Sequence, residues 1–334
     1  MPILHCQRFS LADDRCHDML STYADQLPVF LTREWLYAMS QSFRYEVDVF
    51  VVSSGTDPVS ITVVPKKQRG GIVIAPPFPL TPSNLVVCPG NSSLKSQKAE
   101  HVLQRAMEIL IDELERAFDV VSLALPSDFL DTRVFSWRSW RAIPRYTYRI
   151  ELDSMQSVRA RYSQSLRRKL NSAAKRFQIR KINRPDIIAE MFEGSYHRKN
   201  IAPPFPGSVL RNLLETLHRS QAIESWSIEN DSGKIQAVRV VVNDSGTWYD
   251  WIAGALPDSS PASHVLVDFL LEYALEHGAE AFDFMGANTP KVIDFKRAFG
   301  GRLLLSFNVE WERNALLRFL RHRHNVLLRR KRNL

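Results

Sequence analysis

The sequence predicts an α/β fold of two similar domains, each a mixed sheet flanked by helices, divided near residue 150. Three observations carry this. The chain has 334 residues, and at roughly 150 residues per domain that length suits two hydrophobic cores. Apolar residues make up 45% of it and charged residues 24%, the balance of a folded globular chain and not of a disordered or collagen-like one. One order of elements then occurs twice. Residues 47–52, a Ser-Ser-Gly-Thr-Asp-Pro turn and residues 59–64 read as strand, turn and strand, and a helical pattern opening at His101 runs to Phe118 before the apolar strand 120–125. In the second half residues 223–228, a turn through Gly233 and residues 235–242 repeat the hairpin, and a helix opening at His264 stops at Gly278 before the strand 281–284. Two copies indicate a duplicated domain and not a solenoid.

The remaining elements follow in chain order. Residues 74–82 hold four prolines, a stiff loop that no element interior tolerates. After the strand-like residues 146–152, Val158, Tyr162, Leu166, Leu170, Ala173 and Phe177 recur at steps of three and four. That spacing predicts one helix of about six turns with a single apolar stripe. Its other faces carry Arg159, Arg161, Arg167, Arg168, Lys169, Lys175 and Arg176. A second proline loop spans 202–207, and a helix over 290–299 ends at Gly300-Gly301 before a strand over 302–310. The expected divisions are 1–150, 151–312 and a basic amphipathic tail, 313–334.

Charge is unevenly divided. Residues 1–150 hold 16 Lys/Arg and 16 Asp/Glu, whereas 151–334 hold 28 and 20, so the net charge of +8 belongs to the second half. Ten basic residues and no acid lie between Asp153 and Asp186, and eight basic residues and no acid follow Glu312. Such stretches attract phosphates, anionic head groups or nucleic acid, or else form a solvated face. Cys6, Cys16 and Cys88 form no CxxC pair, which fits a reducing, cytoplasmic compartment and gives no thiolate zinc spacing. No metal site is expected. The motifs GxSxG, GxxxxGK[ST], HExxH and GxGxxG are absent, so chemistry must come from positioning and electrostatics.

The densest cluster of chemistry-bearing residues is Phe282-Asp283-Phe284-Met285-Gly286 with Asp294-Phe295-Lys296-Arg297-Ala298-Phe299-Gly300-Gly301. Strand alternation turns Asp283 away from the side that Phe282 and Phe284 bury. Phe295 and Phe299 share a helix face and should pack inward, which leaves Lys296 to face a cleft within a few ångströms of Asp283. The competing readings are a helix cap or ion pair for Asp283 and a surface position for Lys296.

The succession DFMG and FKRAFGG, after a hairpin ending Trp248-Tyr249-Asp250-Trp251 and a helix closed by Gly278, resembles the FemAB-like acyltransferases of the GNAT superfamily. Ser165-Leu166-Arg167-Arg168-Lys169-Leu170 and Tyr196-His197-Arg198-Lys199 resemble that family's entry into its second domain, and Leu31-Thr32-Arg33-Glu34-Trp35-Leu36 its opening. The resemblance implies two tandem GNAT-like domains, each a mixed, mostly antiparallel sheet flanked by helices. It also implies transfer of an acyl group, aminoacyl or acetyl, to an amine on a cell-envelope or exopolysaccharide precursor. The donor is then acyl-CoA or a charged tRNA, and the acceptor an amine-bearing sugar or peptide, phosphate- or lipid-linked. The tail places Leu316, Leu317, Leu320, Leu327 and Leu328 at near-helical spacing among eight basic residues, an amphipathic cationic helix that either docks its leucines on the domain or makes peripheral contact with an anionic membrane; docking is expected for residues 316–320 and a free basic tail beyond them. Carried over by position, Lys296 holds the acyl carbonyl or donor phosphates, and Asp283 or Tyr249 positions the amine. Arg198 takes a substrate phosphate, with Tyr196, Arg167, Arg168, Trp251 and Phe295 also on the substrate. Residues 254–263 depart from the glycine-rich pyrophosphate loop of acetyl-CoA enzymes. Two other classes stay open: an acetyl-CoA-dependent small-molecule N-acetyltransferase, and a nonenzymatic nucleic-acid binder, the latter weakened because aromatics do not interleave with the basic stretches.

Overall fold

A computed structural model describes residues 3–88, 96–173, 176–198, 200–257, 259–288, 290–319, 321 and 323. In chain order the first elements are β1 (Leu4–Ser10), α1 (Asp14–Thr22), α2 (Arg33–Phe43), β2 (Glu46–Ser54), β3 (Asp57–Arg69), β4 (Ile72–Ala75) and β5 (Leu85–Val87). Next come α3 (Ser96–Ala117), β6 (Val120–Ala124), α4 (Arg133–Trp137), β7 (Arg141–Glu151), α5 (Met155–Ala160), α6 (Gln164–Ala173), β8 (Phe177–Lys181), α7 (Pro185–His197) and α8 (Gly207–Arg219). The last are β9 (Glu224–Asn230), β10 (Ile235–Asp244), β11 (Thr247–Ala255), α9 (Ser260–Glu276), β12 (Ala281–Asp283), α10 (Pro290–Arg297) and β13 (Arg302–Glu312). They gather into two compact units: Met1–Arg145 with the segment from Leu305, and Tyr146–Leu304.

In the first unit the strands run β1-β2-β3-β4-β6-β13, with β5 also on β3. All pairings there are antiparallel except β4 with β6. The amphipathic helix α3 buries Ala106, Leu110, Ile111 and Leu114 in a core shared with Phe50, Val64 and Leu123. The sequence assigned 302–310 to the second domain. Instead, residues 308–312 pair antiparallel with β6 and bury Val309 in the first core, because β6 would otherwise present an unpaired edge.

In the second unit the order is β7-β12-β11-β10-β9-β8, again antiparallel except for one parallel pair, β11 with β12. Among the described pairings each unit thus has one parallel pair, its strands lying before and after the long helix, α3 or α9, because parallel neighbours need a crossover connection. Helix α9 drives Leu266, Val267, Leu270, Leu271 and Ala274 into a core with Ile150, Trp248 and Phe282.

The expected six-turn helix is broken into α5 and α6. Its apolar stripe is real, for Val158, Tyr162, Leu166 and Ala173 are buried, while Phe177 opens β8. The break falls at Ser163, whose hydroxyl accepts from the Leu166 amide at 3.2 Å and whose own amide donates to the Ala298 carbonyl at 2.8 Å. A residue that caps the second helix cannot continue the first. Lys175 lies outside the described residues. In the tail, Leu316 is exposed and not docked on the domain, and Leu320 also lies outside the described residues. No described helix is long and apolar enough to cross a membrane.

Candidate active site at the open end of strand β11

Strands β11 and β12 pair over three residues only, Thr247 with Ala281, Trp248 with Phe282 and Tyr249 with Asp283. β12 then ends while β11 continues to Ala255, so one edge of β11 has no strand beside it beyond Tyr249 among the described pairings. An open edge of backbone donors and acceptors can take an extended ligand by adding it as a strand. The other edge is irregular at the same place. Val240 faces Ile252 and Val241 faces Asp250, which leaves Trp251 as the extra residue of a β-bulge, a distortion that re-aims neighbouring side chains.

Lys296 stands where α10 meets this opening. Its ammonium donates to the Phe284 carbonyl at 2.7 Å and the Gly286 carbonyl at 2.6 Å, clasping the turn that follows β12. Gly286 has φ +113°, a conformation that favours glycine. The expected packing of Phe295 and Phe299 holds: Phe299 is fully buried, and Phe295 packs against it at 5.5 Å between ring centres. Lys296 is half-buried, a brace for the turn more than a charge at a rim.

Asp283 is only 3% exposed and heavily engaged. It accepts from the Thr147 hydroxyl at 2.6 Å and the Met285 amide at 2.7 Å, and Arg149 stands 3.5 Å from its other oxygen. Burial pushes its carboxyl above the usual carboxylate range, opposed by Thr147, the Met285 amide, Arg149 and Lys296. A carboxylate so fully coordinated holds a turn in place.

A second buried carboxylate, which the sequence reading passed over, lies nearer the opening. Asp250 is 6% exposed; one oxygen pairs with Arg239 on β10, and Oδ1 has no hydrogen-bond partner. Burial raises its pKa, the charges of Arg239 and Lys296 pull it down, and Asp283 pushes it up again. The Arg239 guanidinium sits 5.2 Å from the centre of the Phe295 ring, and the buried His264 ring lies 4.5 Å from the same phenylalanine. The available signal was a lone charge inside each of two apolar runs, Ala237-Val238-Arg239-Val240-Val241 and Trp248-Tyr249-Asp250-Trp251-Ile252, on the two strands of one hairpin.

Other expected site residues are only partly assembled. Tyr249 stands in register with Asp283; Trp251 is buried at the bulge. Tyr196 packs on Phe192 at 4.9 Å. Arg198 donates to the Ala255 carbonyl and, at 3.2 Å, to the Ser195 hydroxyl, which ties the end of α7 to the end of β11. Arg167 and Arg168 are exposed on α6, and the structure brings them to no residue of this group. The neighbouring cations of the same stretch are neutralised: Arg159 by Asp268 and Glu272, Arg161 by Asp153.

The segment after β11 fits a coenzyme A pyrophosphate poorly. The Ala255 amide donates to Ser195 Oγ at 3.0 Å and the Leu256 amide to the Gln236 carbonyl at 2.8 Å, while Pro257 and Pro261 have no amide hydrogen. Gly254 serves packing, since a Cβ there would meet the Met191 carbonyl carbon at 2.7 Å. Helix α7 therefore uses the glycine at the end of β11, and the sequence 256–263 that would have to cradle phosphates with backbone N–H groups has none. Among the described residues no group of three His, Cys, Asp or Glu side chains could hold a metal ion.

Comparison with known proteins bears on the fold. Residues 157–297 match the family model described as Acetyltransferase (GNAT) domain. The fold is similar to a crystal structure of FemX (TM-score 0.69, 11% identity, 94% of this chain and 99% of that one). It is also similar to the C-terminal domain of a putative lysylphosphatidylglycerol synthetase from Agrobacterium fabrum (0.57, 12%, 93% and 97%). A third likeness is to a tandem GNAT protein of the clavulanic acid biosynthesis pathway (0.52, 12%, 93% and 99%). No curated protein sequence matches the chain.

Proposed function

We propose that this chain, whose residues 157–297 match a GNAT acetyltransferase domain and whose fold is similar to that of FemX, transfers an acyl or aminoacyl group to an amine on a cell-envelope or exopolysaccharide precursor at the cytoplasmic face of the membrane. The observation that carries the reading is the orphaned Asp250 oxygen beside Lys296 at the open end of β11. The acceptor nitrogen attacks the donor's ester or thioester carbonyl carbon, and the carbonyl oxygen gains negative charge that the Lys296 ammonium stabilises through its field. Asp250 Oδ1 accepts the proton that the nitrogen sheds. The carbon–oxygen or carbon–sulfur bond then breaks, the electron pair leaves with the donor's alcohol or thiol, and the proton passes to that leaving group. Asp283 keeps the turn and Lys296 in place and does not touch the reacting atoms, a change from the amine-positioning role expected of it.

The likeness to a putative lysylphosphatidylglycerol synthetase supports an acceptor of the envelope. The loop after β11 supports an ester-linked aminoacyl donor over acyl-CoA in this unit. A second reading, an acetyl-CoA-dependent N-acetyltransferase of small molecules, draws on the family model's description. Thermal denaturation with acetyl-CoA, aminoacyl-tRNA and uncharged tRNA separates the two. A ligand at a hundred times its Kd stabilises by about 2.7 kcal/mol, a shift of several degrees. Aminoacyl-tRNA is expected to give such a shift beyond that of uncharged tRNA; a shift with acetyl-CoA alone would establish the second reading.

A further inference from the structure

Among the described residues of the segment after Glu312, arginines face the first unit and Leu317 is half-buried, whereas two other large apolar side chains face solvent. Arginines fasten it to the first unit: Arg321 reaches Glu310 at 2.7 Å and Glu312 at 3.1 Å, and Arg313 reaches Asp119 at 2.6 Å and the Phe118 carbonyl at 2.8 Å. Residues 315–319 are helical, and Leu316, expected to dock, is exposed together with Phe319. Leu316 is 65% exposed and Phe319 55% exposed, and residues three apart on a helix are neighbours. Exposed cations flank them, Arg318 and Arg323, the latter 5.7 Å from the centre of the Phe319 ring. Arg329, Arg330, Lys331 and Arg332 continue the charge, with no acid to residue 334.

We propose that this segment docks the protein on an anionic lipid bilayer. Leucine and phenylalanine side chains enter the boundary between head groups and acyl chains, while flanking arginines meet lipid phosphates. A nucleic acid would engage the arginines and leave Leu316 in water, so the apolar exposure selects lipid. The inference stands on the tail alone and is independent of the donor, the acceptor and the roles of Asp250 and Lys296.

Co-sedimentation of the full chain with vesicles, in about 0.15 M salt, tests it. Vesicles of mixed phosphatidylglycerol and phosphatidylcholine are expected to take up the protein on the order of tenfold more than pure phosphatidylcholine. The Leu316→Glu/Phe319→Glu double variant, altered only at exposed positions and checked for fold by circular dichroism, is expected to lose that excess. Arg318→Glu/Arg323→Glu should lose it as well. Absence of uptake by the unaltered chain would overturn the proposal. So would uptake that survives Leu316→Glu/Phe319→Glu and falls only with the arginine changes, the pattern of a polyanion site without lipid insertion.

Discussion

Lys296 joins structure to chemistry, and that changes what its removal should do. A charge at a cleft rim could be deleted without harm to the fold, but this ammonium holds the carbonyls of Phe284 and Gly286. Hydrogen bonds from a charged donor contribute about 1.5–3 kcal/mol each, and two are lost, so Lys296→Met is expected to lower the urea midpoint by the equivalent of about 3 kcal/mol or more. Turnover should fall on the order of a hundredfold. Lys296→Arg should recover part of the stability and little of the turnover, because a planar fork cannot reproduce a compact ammonium between two carbonyls. A variant with wild-type stability and turnover would show that Lys296 serves neither role. Asp250 makes a separate prediction. A base must be ionised to act, so the rate falls as pH drops through its pKa, and burial has moved that pKa above the ordinary aspartate value of about 3.9. The acid limb of kcat/KM should therefore lie above the usual carboxylate range. Asp250→Asn should lower kcat/KM by a hundredfold or more and flatten that limb; an unchanged acid limb in the variant would assign the proton to another group.

The elements show why residue patterns alone misplace a boundary. Strand β13 follows α10 in the chain, so continuity assigned it to the second domain, yet residues 308–312 lie against β6, with Arg141 reaching Glu312 at 2.6 Å. Partner choice for a strand is a long-range decision that local alternation cannot report. A fragment of residues 1–150 should accordingly lack a cooperative urea transition, since β6 is left with an open edge and the core around Val309 with a gap. Adding residues 305–323 as a separate peptide should restore one. A cooperative transition in the fragment by itself would show that β13 is dispensable to the first unit. The α5–α6 break had the opposite cause. Its apolar stripe was read correctly across both helices, but Ser163 answers to Ala298, more than a hundred residues away, and no helical periodicity contains that contact.

At the scale of the whole molecule, the sequence by itself determined the duplicated hairpin, helix and strand order, the mixed sheets, the excess charge of the second half and the neighbourhood of Lys296. Each of these is written in local spacing: period two for strands, three to four for helices, glycine where a turn needs it. The carboxylates show where that reading stops. Asp283 stood out because it sits in a recognisable motif, and tertiary contacts then occupied it with Thr147, Met285 and Arg149. Asp250 sits in an apolar strand run and became interesting only when pairing with β10 set Arg239 beside it and left Oδ1 alone. Only the tertiary structure decided the order of the strands, the return of β13 to the first unit, the use of Gly254 as a seat for α7 and the outward turn of Leu316 and Phe319. These depend on which surfaces meet, and the free energy of such a meeting resides in both partners at once, so neither stretch of sequence carries it alone.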